Sequence, residues 1–217
     1  MKKRILSLAI SAALVLTMLP AGALAAGDKG TPPVYNKATG CYEISTPAQL
    51  LYLSGSWKDG TPRDGHYVLT ADIDMSGVKG FKPIASKKEQ GFIGTFDGQF
   101  HAIKGLRVEY EKKYAGLFGY VGNQDDQAYI KDVALLDCYV TGQQNVGALA
   151  GVNYGTITGC VVTGEVKCLD LSNSHTAGGI CGKLKEGEGP IVGHVEDCYV
   201  NADVSAPYDA GGVAGIQ

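Results

Sequence analysis

Apolar and polar positions in the second half of the chain fall into blocks that return at a nearly fixed interval. Four blocks set an aliphatic residue between small ones: Ala115-Gly-Leu-Phe-Gly119, Gly147-Ala-Leu-Ala-Gly151, Gly178-Gly-Ile-Cys-Gly182 and Gly211-Gly-Val-Ala-Gly215. Their closing glycines are 32, 31 and 33 residues apart. A second element recurs between them, in Val133-Ala-Leu-Leu-Asp-Cys-Tyr-Val-Thr-Gly142, Ile157-Thr-Gly-Cys-Val-Val-Thr-Gly164 and Val195-Glu-Asp-Cys-Tyr-Val-Asn201. Apolar alternation, β-branched residues and a polar or Gly exit predict strands bounded by turns. The distance from its cysteine to the next glycine box is 13, 22 and 17 residues, which assigns the insertions to loops.

A unit of about thirty residues with two or three short strands cannot bury both faces of those strands alone, so it needs neighbours of its own kind. Stacking such units as a parallel β-helix-like solenoid sets equivalent residues ~4.8 Å apart. Leu117, Leu149, Ile180 and Val213 then form an inner aliphatic ladder, and the flanking glycines allow tight corners, positive φ and close approach of coils. A propeller is the structural rival, but its four-stranded blades need longer repeats.

The first half carries different signals. Thr46-Pro-Ala-Gln49 combines an N-cap, Pro at the first helical position and Gln three residues after the cap, predicting a short helix from Pro47 to Tyr52 or Leu53. Its Leu50, Leu51 and Leu53 would cover the open end of the stack. Tyr67 to Asp74 is expected as one strand, and Phe92 to Leu106 alternates around an Asp97-Gly98 turn signal.

Residues 1–25 have the pattern of a secretory signal peptide: Lys2-Lys3-Arg4, an apolar run from Ile5 to Leu19, then Ala23-Leu24-Ala25. The expected organisation is a signal peptide at 1–25, a flexible mature N-terminus at 26–40, a cap helix and opening coil at 41–114, and repeat coils at 115–217. Because Gln217 follows the fourth box at once, the last coil is read as truncated from a longer surface protein; otherwise it offers an edge for end-to-end association. The formal net charge of -3 and the lack of a basic stripe speak against nucleic acid as a partner. No segment after the signal is apolar for long enough to span a membrane.

Val146-Gly-Ala-Leu-Ala-Gly-Val-Asn-Tyr-Gly-Thr-Ile-Thr-Gly-Cys-Val-Val-Thr-Gly164 resembles the GLUG repeat of bacterial secreted and surface proteins, including the non-catalytic regions of immunoglobulin A1-specific metallopeptidases. Leu69-Thr-Ala-Asp-Ile-Asp-Met-Ser-Gly77, Pro83-Ile84 and Gly94-Thr-Phe-Asp-Gly98 are similar to the segment that commonly precedes those repeats. The likeness runs roughly from Tyr42 to Gly215 and departs at Leu184 to Val192, where Glu and Gly replace a short Asn-Gly turn. It implies an all-β, right-handed β-helix-like solenoid exported for display or contact, and no catalytic residues in the repeats.

Candidate chemistry is sparse. The six cysteines invite a disulfide framework in an exported chain. Cys138, Cys160 and Cys198 nevertheless occupy the same place in the repeated strand, which favours a ladder of buried, mostly reduced thiols; Cys168, in a loop, and Cys41, near the cap, are the more reactive candidates. None of His66, His101, His175 and His194 belongs to a His-Glu-x-x-His helix, and His194 with Glu196 reads as a solvated pair. Asp72, Asp74 and Asp97 could offer oxygens to calcium, but turn and strand-end hydrogen bonds explain them better. Among carboxylates, Asp125, Asp126 and Asp137 lie in or beside loops with nothing to fix a glycosidase pair, and Arg63 and Arg107 are the only arginines after the signal. Tyr139, Tyr154 and Tyr199 recur in the coils and could stack on a sugar or anchor a protein, although surface cover is the plainer role.

No catalytic, cofactor-binding or metal-ligating residue is assigned, and no cofactor is expected. The reading is a bacterial exported, non-enzymatic, adhesin-like surface or secreted module for adhesion, display or contact with a host or cell-surface protein or glycan. Its variable surface is expected in the loops 124–129, 169–175 and 183–193. The alternatives are a carbohydrate-active β-helix enzyme, a polysaccharide lyase or hydrolase, and a non-catalytic fragment of a larger surface peptidase.

Overall fold

The computed structural model of the chain describes residues 29–55, 61–171, 175–185 and 192–216, so the expected signal peptide lies outside the described residues. In chain order the elements are β1 (Val34–Asn36), β2 (Cys41–Ile44), α1 (Pro47–Leu53), β3 (His66–Leu69), β4 (Ile73–Asp74), β5 (Thr95–Asp97), β6 (Ala102–Lys104), β7 (Arg107–Ala115), β8 (Phe118–Val121), β9 (Tyr129–Lys131), β10 (Ala134–Gly147), β11 (Ala150–Asn153), β12 (Thr156–Thr158), β13 (Val161–Cys168), β14 (Thr176–Gly178), β15 (Cys181–Leu184), β16 (His194–Glu196), β17 (Tyr199–Ser205), β18 (Asp209–Gly211) and β19 (Ala214–Ile216). A 3-10 turn covers Lys88–Gln90. The fold is mostly β, and its strands pair in parallel except where β1 meets β2.

Three sheets carry the core, and the chain visits them in turn. The first runs β1-β2-β3-β5-β9-β12-β16. Its register lines up Tyr42, Tyr67, Phe96, Ile130, Ile157 and Val195 in one inner column. Tyr67, Phe96, Ile130 and Ile157 are fully buried there, each contributing about 1.5–3 kcal/mol. The second sheet is built around the long strand β10, which pairs with β6 and β7 on one side and with β13 and β14 on the other. Val108, Val140, Val166 and Val204 form its inner column, with β-branched side chains suited to a pleated, packed surface.

The third sheet, β8-β11-β15-β19, holds the glycine boxes. Its pairings bring Gly119, Gly151, Gly182 and Gly215 to equivalent places on neighbouring strands. Leu117, Leu149 and Ile180 precede them and are fully buried, whereas Val213 on the last strand is 44% exposed. None of the four closing glycines has positive φ. What they permit is close approach: a Cβ on Gly151 would lie 2.6 Å from the Tyr114 Cα, and one on Gly182 would lie 2.2 Å from the Asn145 carbonyl carbon. Real Cβ atoms do not come that near backbone, so the third sheet can rest on the end of the second only through glycine.

Helix α1 forms where the cap signal places it. The Thr46 hydroxyl accepts the Gln49 N–H at 3.3 Å, the Gln49 side chain accepts the Thr46 N–H at 3.2 Å, and Leu50, Leu51 and Leu53 enter the core. Other expectations need correction. The stretch from Tyr67 to Asp74 is two strands in different sheets: β3 pairs with β2 and β5, β4 pairs with β6, and Thr70 to Asp72 form the corner between them. The Asp97-Gly98 turn is a corner between β5 and β6, which lie in separate sheets. Within 26–40, expected as flexible, Val34–Asn36 pairs with Cys41–Ile44 in an antiparallel hairpin. The first sheet runs from β2 to β16 on both sides of Ala115, the last residue of β7.

The cysteine alignment also changes. Cys160 faces Cys198 on the next strand, as the pairs Thr158 with Glu196 and Val161 with Tyr199 require. Cys138 instead faces Gly164, after a bulge between Leu135 and Cys138 in which Asp137 takes φ +52°. The residue equivalent to Cys160 in the preceding passage is Val133.

Candidate functional site

Two tyrosines that follow the first two boxes converge on one groove. Tyr120 lies in β8, and Tyr154 follows β11, where its N–H reaches the Val121 carbonyl at 2.7 Å. The rings of Tyr114 and Tyr120 are 4.7 Å apart, and Lys185 Nζ lies 6.0 Å from the centre of the Tyr154 ring. Gly122 has φ +71° and meets the backbone carbonyl carbon of Tyr154 within 3.1 Å of any Cβ, so a side chain there would be both strained and crowded.

The rest of the lining is polar. Asn123 Oδ1 accepts the N–H groups of Asp125 and Asp126 at 2.7 and 2.8 Å, and its amide donates to Asp126 Oδ2 at 3.0 Å. Arg63 Nη1 donates to the Glu89 carbonyl at 3.3 Å. The resulting groove has a volume of about 390 Å³. Burial holds the Tyr120 and Tyr154 phenols above their ordinary ionisation range, so both remain neutral hydrogen-bonding groups. Neutral phenols flanked by amide, carboxylate and guanidinium groups match the chemistry of a hydroxyl-rich ligand.

A second surface covers the outside of β7, β10 and β13. Arg107 stacks over the Tyr139 ring at 4.1 Å and donates to Glu109 at 2.9 Å, while Lys167 pairs with Glu165. The register sets Arg107, Tyr139, Glu165 and Asp203 in one outward column. A wide trough of about 1580 Å³ beside it runs from Lys82 and Lys112 to the exposed Leu169 and Leu171.

The residues singled out by sequence are mostly not brought together. Tyr154 is buried in the groove, Tyr139 lies under Arg107 and Tyr199 is exposed at the end of the second sheet, so the three do not stack. Asp125 and Asp126 line the groove, whereas Asp137 lies in β10. Asp72 Oδ1 accepts the Ala102 N–H at 2.9 Å and contacts His101 at 3.2 Å. Asp74 and Asp97 each accept the N–H two residues ahead, and Asp97 also pairs with Lys131 at 2.8 Å. His175 contacts Asp170 at 3.1 Å, His66 opens β3, and His194 and Glu196 are exposed in β16. Among the described residues no group of three or more His, Cys, Asp or Glu side chains is arranged to hold a metal ion. All six cysteines carry free thiols; Cys168 ends β13 instead of lying in a loop, and Cys41 opens β2.

Sequence reasoning missed Tyr114, Tyr120 and Asn123. The available signal was a tyrosine shortly after each of the first two boxes. Their offsets differ, since Tyr120 is one residue beyond Gly119 and Tyr154 three beyond Gly151.

No family model matches the chain. The chain is 34% identical over 116 residues to halomucin of Haloquadratum walsbyi, a match covering 50% of this chain and 1% of that protein. It is 30% identical over 125 residues to a candidate Gly-rich membrane protein of Evansella cellulosilytica, covering 54% of this chain and 14% of that one. It therefore spans only a small part of the length of either relative. Among solved structures, a candidate immunoglobulin A1 protease from Bacteroides ovatus has a similar fold, with a TM-score of 0.54 and 19% identity over 86% of this chain and 73% of that chain. Among the described residues no helix is long and apolar enough to cross a membrane.

Proposed function

We propose that the chain is a non-catalytic module of GLUG-type repeats, a right-handed β-helix-like solenoid exported to the cell surface or beyond, which makes contact with a host or cell-surface protein or glycan. The observation that carries this reading is the alignment of the four glycine boxes strand over strand in one sheet. A stack of that kind holds its outer columns at fixed spacing and leaves the connecting loops free to vary. Further support comes from relatives named as a halomucin and a candidate Gly-rich membrane protein.

The Tyr120–Tyr154 groove is the contact point we favour, with a glycan as its ligand. Purified protein applied to arrays of glycans and matrix proteins tests the reading. Saturable binding to one class without chain cleavage is the expected result. Release of shorter or unsaturated oligosaccharides from a polysaccharide would favour the carbohydrate-active enzyme, and absence of binding to every array component would reject the contact role.

A further inference from the structure

Cys160 and Cys198 occupy facing positions on successive passages of the chain, each just after a corner with the same backbone shape. The corner residues Gly159 and Asp197 have φ of +63° and +51°, matching Asp132 at +54° one passage earlier. Cys198 Sγ reaches back toward the Cys160 passage, 3.8 Å from the Ile157 carbonyl oxygen, while Cys160 Sγ lies 3.2 Å from the Thr158 carbonyl oxygen of its own passage and 4.0 Å from that of Ile130. Neighbouring strands are ~4.8 Å apart, inside the Cα separation of about 4.4–6.8 Å that a disulfide spans. None of the other four cysteines has a cysteine at the facing position. Cys138 faces Gly164, Cys168 faces Gly142, Cys181 faces Ala214 and Ala150, and Cys41 precedes the Tyr42–Tyr67 pair that puts His66 opposite it.

We propose that Cys160 and Cys198 are a redox-active pair that closes a disulfide between successive passages of the chain. Cys198 is half-buried and Cys160 is fully buried, so a dissolved oxidant reaches Cys198 first. The hydrogen bond from the Cys160 thiol also favours the Cys198 thiolate, the attacking form. That thiolate attacks one sulfur of a small disulfide such as oxidised glutathione and expels one glutathione thiolate. Cys160 then attacks the Cys198 sulfur of the mixed disulfide, and its proton leaves with the second glutathione, which departs as a thiol. Two protein thiols are oxidised and one glutathione disulfide is reduced to two thiols. Such a bond would tie adjacent layers covalently at the side of the core nearest the last strands.

The test uses the folded full chain with oxidised glutathione, followed by acid quenching, alkylation in denaturant and peptide mass mapping. The expected result is a fall from six alkylatable thiols to four, with a peptide linking residues 160 and 198. Cys198→Ser should keep all five of its thiols under the same conditions, and prior unfolding in guanidinium should lower the yield of the specific link at least tenfold. The proposal is overturned by retention of six thiols, by a glutathione adduct at Cys198 that never resolves, or by a link from Cys198 to Cys181. Equal thiol loss in Cys198→Ser overturns it as well. Cys160→Ala should stop at a glutathione adduct on Cys198, and if it folds poorly, Cys198→Ser, altered at a half-buried site, decides the question.

Discussion

The α-carbon of Gly182 rests against the backbone of Asn145, at a separation where any Cβ would stand 2.2 Å from the Asn145 carbonyl carbon. Gly182→Ala must therefore push the third sheet off the second and is expected to lower stability by about 1–3 kcal/mol. Gly212, which has open space around its Cβ direction and no positive φ, is the internal control. Gly212→Ala should change stability by no more than about 0.5 kcal/mol. Urea midpoints of both variants check the contrast, and equal midpoints would show that close approach is not what the box glycines supply.

Asp72 ties the corner after β3 to the next passage. The Ala102 N–H, and after it His101, holds its carboxyl below the ordinary carboxylate value. A depressed folded value means that the ionised form stabilises the fold. That contribution is complete above the ordinary range and disappears as pH falls through the lower folded value. Asp72→Asn should accordingly be less stable than the parent at neutral pH and indistinguishable from it in strong acid. Thermal melts from pH 7 to pH 2 give the comparison; a stability gap that is constant with pH would rule out the charge as its source.

Cys198 should be the first thiol to react with a small alkylating agent. Its value is brought down to about 7 by the Cys160 hydrogen bond, against the opposing effects of burial and of Asp197 and Glu196, while Cys160 is pushed up by its hydrogen bond with Cys198 and then by burial. Cys181, beside Cys198, is raised to about 12 by burial and by that neighbour. Labelling of Cys198 should rise steeply between pH 6 and pH 8, and that of Cys160 and Cys181 should stay at least tenfold slower. Time-resolved peptide mapping with iodoacetamide measures all three, and uniform labelling would contradict the assignment.

In the groove, Tyr154→Phe keeps the ring beneath Lys185 and removes only the hydroxyl. Arg63→Ala removes a cation from the groove lining. Each should weaken binding of an array-identified glycan by about five- to tenfold, the cost of a hydrogen bond worth ~1 kcal/mol, with thermal stability changed little for Arg63→Ala. Unaltered affinity in both variants would move the contact surface elsewhere, with the Arg107–Tyr139 face the next to examine.

Local signals were legible because they act over a few residues. The Thr46–Gln49 cap marks α1, and the small residues of each box mark where sheets touch, so helix and glycine alignment follow from composition at short range. The cysteine column was not legible in full. Asp137-Cys138-Tyr139 and Asp197-Cys198-Tyr199 are alike in letters, yet a bulge in β10 shifts Cys138 away from the corner that Cys160 and Cys198 share. Corners between sheets, such as Thr70 to Asp72, leave no apolar alternation to read. The groove was out of reach because Arg63, Tyr120 and Tyr154 come from three separate passages and share no spacing.

In the proposed solenoid, the hydrogen bonds of the parallel sheets run from one layer to the next while the covalent backbone runs within a layer. Tension across a layer is borne by peptide bonds, but tension along the pile loads the interlayer hydrogen bonds end-on. Mechanical strength should consequently depend on the direction of pull, with the chain yielding layer by layer when drawn out lengthwise and resisting far larger force when sheared crosswise.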